Sequence, residues 1–147
     1  MTDLHFYDNM PEVVVRGHYC APIHKTQLWL SDAVLEAIDE YEQSYGPRYM
    51  SKVEYYAKAG FRNHEGSRTK SKRHPGIRPK TDYKNVFAIQ PFGLFRIYGF
   101  YEDPQKTVFI GVSTTMKRGM KMRAPDKAAC QFAADVCESG KWRKEGT

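Results

Sequence analysis

The stretch NVFAIQPFGLFRIYGFYEDPQKTVFIGV, residues 85–112, decides the fold class. Val86 to Ile89, Leu94 to Tyr101 and Thr107 to Val112 are rich in β-branched and aromatic residues. Pro91-Phe92-Gly93 and Glu102-Asp103-Pro104-Gln105 supply the turns between them. Strands joined by turns this short pair antiparallel, so a meander is expected with strands near 85–90, 94–101 and 107–113.

Outward from the meander, helical periodicity takes over. Downstream, Pro125 and Asp126 open a helix that runs to Ser139, with Ala129, Phe132, Ala133 and Val136 as its apolar face and Gly140 as its stop. Upstream, Ser31 is an N-cap for a helix over 32–45 with Val34, Ala37, Ile38 and Tyr41 on one side. Gly46 ends it. A second helix over 47–59 follows, with Tyr49, Met50, Val53, Tyr56 and Ala57 in its stripe, and Gly60 stops that one. Two helices joined so tightly form an antiparallel hairpin. Before them, Val13-Val14-Val15 and Gln27 to Leu30 have strand composition. The expected fold is therefore α+β in a single domain over 1–147: an antiparallel sheet of three or more strands, with the two-helix hairpin and the C-terminal helix packed on it, the helices covering one face.

Charge narrows the function. Lys and Arg number 23 against 17 Asp and Glu, a formal net charge of +6, the balance of a protein that meets phosphate. The excess is concentrated. Residues 62–84, RNHEGSRTKSKRHPGIRPKTDYK, hold Arg62, Arg68, Lys70, Lys72, Arg73, Arg78, Lys80 and Lys84 against Glu65 and Asp82, with almost no aliphatic residue to bury. This composition reads as a basic loop that tracks a phosphate backbone and is mobile without a ligand. A second cluster, MKRGMKMR at 116–123, brings Lys117, Arg118, Lys121 and Arg123 between the last strand and the last helix. Arg96 stands mid-strand among apolar neighbours, on one face with Leu94 and Tyr98 by period-two alternation. A charge there is costly unless paired or aimed into a cleft; the alternative is an arginine on a solvent face.

Other chemistries find little support. The cysteines Cys20, Cys130 and Cys137 lack the spacing of a zinc site or a disulfide framework, and Cys130 and Cys137 share a helix face suited to the core. No histidine pair has metal-ligand spacing, and no GxGxxG or Walker-type loop occurs, so neither metal nor cofactor is expected. His64 and His74 could transfer protons from within the basic loop; packing is the simpler role for each histidine. No apolar run approaches the ~20 residues that span a bilayer, and no secretory leader is read at the N-terminus, so a cytoplasmic location away from membranes is expected.

From Asn85 onward the chain resembles the RelE/ParE superfamily of bacterial toxins, in particular its HigB-like, phage-derived branch. The resemblance is carried by Phe95-Arg96-Ile97-Tyr98-Gly99-Phe100-Tyr101-Glu102, by Val108-Phe109-Ile110-Gly111-Val112, by the basic patch after it and by Pro125 opening a helix. The branch has a Glu and an Arg on its first strand here, where this chain has Ala88 and Gln90. It has paired lysines after its aliphatic strand, where this chain has Thr114-Thr115. The resemblance implies a toxin of a type II toxin–antitoxin system and a metal-free endoribonuclease, an mRNA interferase dependent on the ribosome. Its partners would be RNA or the ribosome and a cognate antitoxin protein. The 2'-hydroxyl would attack the adjacent phosphate while fixed cations stabilise the developing charge. By this resemblance Arg96, Tyr98, Lys117 and Arg118 are the candidate catalytic residues. Arg68, Lys70, Lys72, Arg73, Arg78, Lys80, Lys121 and Arg123 are candidates for holding RNA. A RelE-like binding module without cleavage, and a ParE-like toxin acting on a protein such as gyrase, remain alternatives.

Overall fold

A computed structural model describes residues 9–61, 76–78, 83–91, 95–116 and 123–146. The chain is α+β. Its elements are β1 (Val13–His18), β2 (Gln27–Ser31), α1 (Asp32–Tyr45), α2 (Tyr49–Ala59), β3 (Gly76–Arg78), β4 (Phe87–Gln90), β5 (Phe95–Tyr101), β6 (Val108–Met116), α3 (Ala124–Ser139) and β7 (Trp142–Glu145). The strands form one sheet in the order β3-β4-β5-β6-β2-β1-β7.

The expected meander is present: β4, β5 and β6 pair antiparallel, and Asp103 closes the second turn by accepting from Thr107 N and Val108 N. The sheet as a whole is mixed, which corrects the antiparallel expectation. β2 runs parallel to β6 (Leu28↔Phe109, Leu30↔Gly111), and β7 runs parallel to β1 (Val13↔Trp142, Arg16↔Glu145). Both pairings join segments far apart in sequence, so no local pattern announces them. The basic stretch also departs from its reading as an unbroken loop. Gly76–Arg78 forms β3 against the edge of β4.

The hairpin forms as its caps dictate. Ser31 Oγ accepts from Val34 N at 3.3 Å, and Gly46 (φ 105°) ends α1. Pro47 and Arg48 belong to the turn, so α2 starts two residues later than the sequence suggests. Glu42 of α1 accepts from Met50 N at 2.9 Å and so satisfies the start of α2.

The helices cover both faces of the sheet, not one. On the first, Val34, Ile38, Val53 and Phe61 pack with Leu28, Leu30, Ile97 and Phe109. On the second, Ala129, Cys130, Ala133 and Val136 of α3 pack with Trp29, Tyr98, Phe100 and Ile110. Cys130 takes the place expected of Phe132, which is partly exposed. Because both faces are covered, β5 is a nearly continuous buried run.

A β-bulge interrupts β5–β6 between Tyr98 and Gly99: Tyr98 pairs with Ser113 but Gly99 with Gly111. The backbones close in at this point. A Cβ on Gly99 would lie 2.0 Å from the Ile110 carbonyl oxygen. Gly99→Ala is expected to cost at least about 2 kcal/mol by overpacking, read as a lower urea midpoint. An unchanged midpoint would show that the strand pair can spread at no cost.

Candidate functional site

Alternation along β5 puts Arg96 on the face of Tyr98, which α3 covers, and Ser113 and Thr115, beyond the bulge in β6, contact α3 on that face. Arg96 pairs with Thr115 across the strands, and Ser113 Oγ donates to Ala129 O at 2.7 Å, which seats α3 on β6. Arg96 is 8% exposed and so is not an arginine on a solvent face. A guanidinium keeps its proton in a protein, so this position holds a fixed positive charge. Its field reaches Tyr49 and Tyr98, where it opposes the upward push of burial on both phenols.

Asp126, in the first turn of α3, is 2% exposed. Its Oδ1 accepts from Thr115 Oγ1 at 2.9 Å and its Oδ2 from Arg123 N at 3.0 Å. The carboxylate therefore caps its own helix and ties α3 to β6. Thr115 Oγ1 also lies 3.4 Å from Tyr98 Oη. Tyr98, Thr115 and Asp126 thus form a chain of polar contacts beneath the N-terminus of α3, beside Arg96.

Tyr98 is pushed up to about 12, first by burial, with the Cys130 and Asp126 charges adding and the Thr115 hydroxyl and Arg96 opposing. At neutral pH it is a protonated phenol in a closed setting. At 2% exposure its ring belongs to the core. Stacking on a base, or direct proton exchange with a substrate, does not suit Tyr98 as placed, and this corrects its reading as a catalytic group.

The remaining candidates divide by location. Arg123 is exposed at the start of α3, next to the Asp126 cap. Arg78 stands in the backbone row Arg78–Ala88–Tyr98–Ser113, two strands and so about 10 Å from Tyr98. Lys117, Arg118, Lys121, Arg68, Lys70, Lys72, Arg73 and Lys80 lie outside the described residues, as do His64 and His74. His18 and His24 are elsewhere. His18 pairs with Leu28, opposite Phe109, six residues and about 20 Å along β6 from Thr115. His24 Nε2 lies 3.1 Å from Glu54 Oε2 and fastens the β1–β2 loop to α2.

Asp126 and Thr115 were missed as site residues. Asp126 reads in the sequence as a helix-dipole residue, and Thr115 as a lost lysine. The available signal was the pairing of a strand-end threonine with an acid at the third position of a Pro-led helix. Among the described residues no group of three or more His, Cys, Asp or Glu is arranged to hold a metal ion. No described helix is long and apolar enough to cross a membrane. In comparisons with known proteins, no family model, no curated protein and no solved structure matches the chain.

The raised Tyr98 pKa has a definite sign in stability. The unfolded chain loses this proton near pH 10 and the folded one near 12, so between them the unfolded state binds fewer protons. The group's stabilisation is complete below about pH 10 and is lost as pH climbs towards 12. Tyr98→Phe is expected to shallow the fall of unfolding free energy across that window, measured by urea titration. An unchanged slope would assign the alkaline loss to other buried tyrosines, Tyr49 first.

Proposed function

We propose that this protein is an RNA-directed toxin of the RelE-like, HigB-like kind, which binds RNA across the Arg96 end of its sheet and cleaves it without a metal. The observation that carries this reading is Arg96. A buried guanidinium on a rigid central strand is a preorganised cation, the kind of group that stabilises a phosphate as its charge builds. Two further observations support it. Phe95 pairs with Met116 and Arg96 with Thr115, and KRGMKMR, residues 117–123, begins two residues after Thr115 in the sequence. The register also sets Arg78 in the row of Tyr98, two residues along the sheet from the row of Arg96.

In this mechanism the 2'-hydroxyl gives its proton to solvent and attacks the adjacent phosphate, the P–O5' bond breaks as the P–O2' bond forms, and the departing 5'-oxygen takes a proton from solvent, leaving a 2',3'-cyclic phosphate; Arg96 stabilises the charge, and Lys117 and Arg118 hold the flanking phosphates. Asp126 and Thr115 are positioning residues that keep α3 and Arg123 beside the site. A second reading, a RelE-like RNA-binding module without cleavage, is favoured by one observation: the Tyr98 phenol is enclosed and bonded to Thr115, at the end of β6 where the nuclease branch has lysines.

Expression in bacteria separates the two. Wild-type protein is expected to arrest growth and fragment messenger RNA, and Arg96→Ala, shown by circular dichroism to be folded, is expected to do neither while retaining most RNA affinity. With purified protein, Lys117→Ala and Arg118→Ala should each reduce the slope of log affinity against log salt by about 0.7, the share of one phosphate contact on a single strand. RNA binding with intact messenger RNA, on or off ribosomes, would leave the binding module. Absence of RNA binding at low salt would remove both readings.

A further inference from the structure

The helical hairpin divides its charge between its two helices. α1 carries Asp32, Glu36, Asp39, Glu40 and Glu42 and no Lys or Arg. α2, opened by Arg48, carries Lys52 and Lys58 against a single acid, Glu54, which His24 engages. Arg48, Lys52 and Tyr55 follow one another at i, i+4 and i+7, with Lys58 one turn further; Arg48, Tyr55 and Lys58 face away from the buried residues Tyr49, Val53, Tyr56 and Ala57, and Lys52 lies at the edge of that outer face, beside Tyr56. No ion pair within the described residues engages Arg48, Lys52 or Lys58.

Within this stripe Tyr55 is 57% exposed. Lys52 Nζ stands 4.9 Å from its ring centroid, and Tyr56 meets it edge-on at 5.6 Å, so the ring has a cation and a buried aromatic beside it. An aromatic face flanked by cations is the arrangement that takes an unstacked base with its phosphates. Duplex bases offer no such face. An acidic peptide needs the charges but not the ring.

We infer that the outer face of α2, with Tyr55 as stacking platform and Arg48, Lys52 and Lys58 as phosphate contacts, binds single-stranded RNA outside the Arg96 site. The inference rests on the RNA-directed reading above and adds a second contact to it. The molecule supplies its own control, since Tyr45 is 67% exposed but stands at the end of the acidic helix α1. That helix repels the same phosphates.

The test is anisotropy of a fluorescent single-stranded RNA oligonucleotide with the full chain. Tyr55→Ala is expected to weaken binding by about 5- to 100-fold, the measured range for one stacked base, and Tyr55→Phe by less than about twofold. Lys52→Ala should lower the salt slope by about 0.7, and Tyr45→Ala should change nothing. Equal, small effects of Tyr55→Ala and Tyr45→Ala would overturn the platform while RNA binding that depends on Lys117 and Arg118 kept the Arg96 site. If Tyr55→Ala weakens binding of poly-glutamate as much as of RNA, the face is an acidic-protein site and the inference falls. Wild-type protein that binds no RNA at low salt removes this inference together with the function it rests on.

Discussion

The parallel pairing of β2 with β6 is the joint on which the rest of the molecule depends. On one side of it lie β1, β2 and β7, and on the other the β3–β6 meander. Leu28 and Leu30 enter the core under the hairpin, while Trp29 between them enters the core under α3, so one short strand anchors both layers. α1 starts at Asp32, directly after β2, and the direction of β2 therefore fixes which end of the sheet the hairpin reaches. Gly111 sits at the joint because a Cβ there would meet Leu30 Cδ2 at 2.7 Å. Parallel pairing demands a long crossover, and the hairpin, the basic stretch and the meander provide it.

Local chemistry made much of this fold legible. The Ser31 cap, the Gly46 and Gly140 stops, the Pro125 opening and the second turn of the meander, at Glu102 to Gln105, each act over a few residues, and they stand where the sequence places them. What was not legible depends on distant partners. β7 carries no strand signal of its own, since Trp142–Glu145 has three charges in four residues and becomes a strand only beside β1. The two-sided covering of the sheet was hidden in the same way. The alternation along β5 identified the face that Arg96 and Tyr98 share, but only the placement of α3 shows that this face is buried.

That placement also sets the character of the site. In a solvent-facing position Arg96 would be one cation among many, its charge screened within about 10 Å by salt. Here it is a buried charge on the strand whose Tyr98 packs under α3, and Asp126 and Thr115 tie that helix to β6. The design trades stability for position, since burying a guanidinium is expensive even when its hydrogen bonds are made. Exposed Met116, paired with Phe95 at the end of β6, supplies an adaptable apolar group one residue from Thr115, the partner of Arg96.

β7 has a further consequence at the edge of the sheet. Open strand edges recruit strands from other molecules, and charged side chains are a common protection. Here Arg143 pairs with Glu12 and Glu145, and Glu145 with Arg16 of the neighbouring strand, so β7, the outermost strand on its side among the described residues, is fenced by exposed ion pairs. The strand meets β1 through four residue pairs, with Trp142 packed against Phe100 and Lys144 paired with Glu102, and its pairing spans a sequence separation of 129 between Arg16 and Glu145, the longest closure in the sheet and by chain entropy the costliest. Its detachment would bare β1, whose Val13-Val14-Val15 run is the most β-prone sequence near either end of the described chain. The short C-terminal strand is thus a guard against self-association, and high salt, which weakens its ion pairs, is the condition under which the guard is weakest.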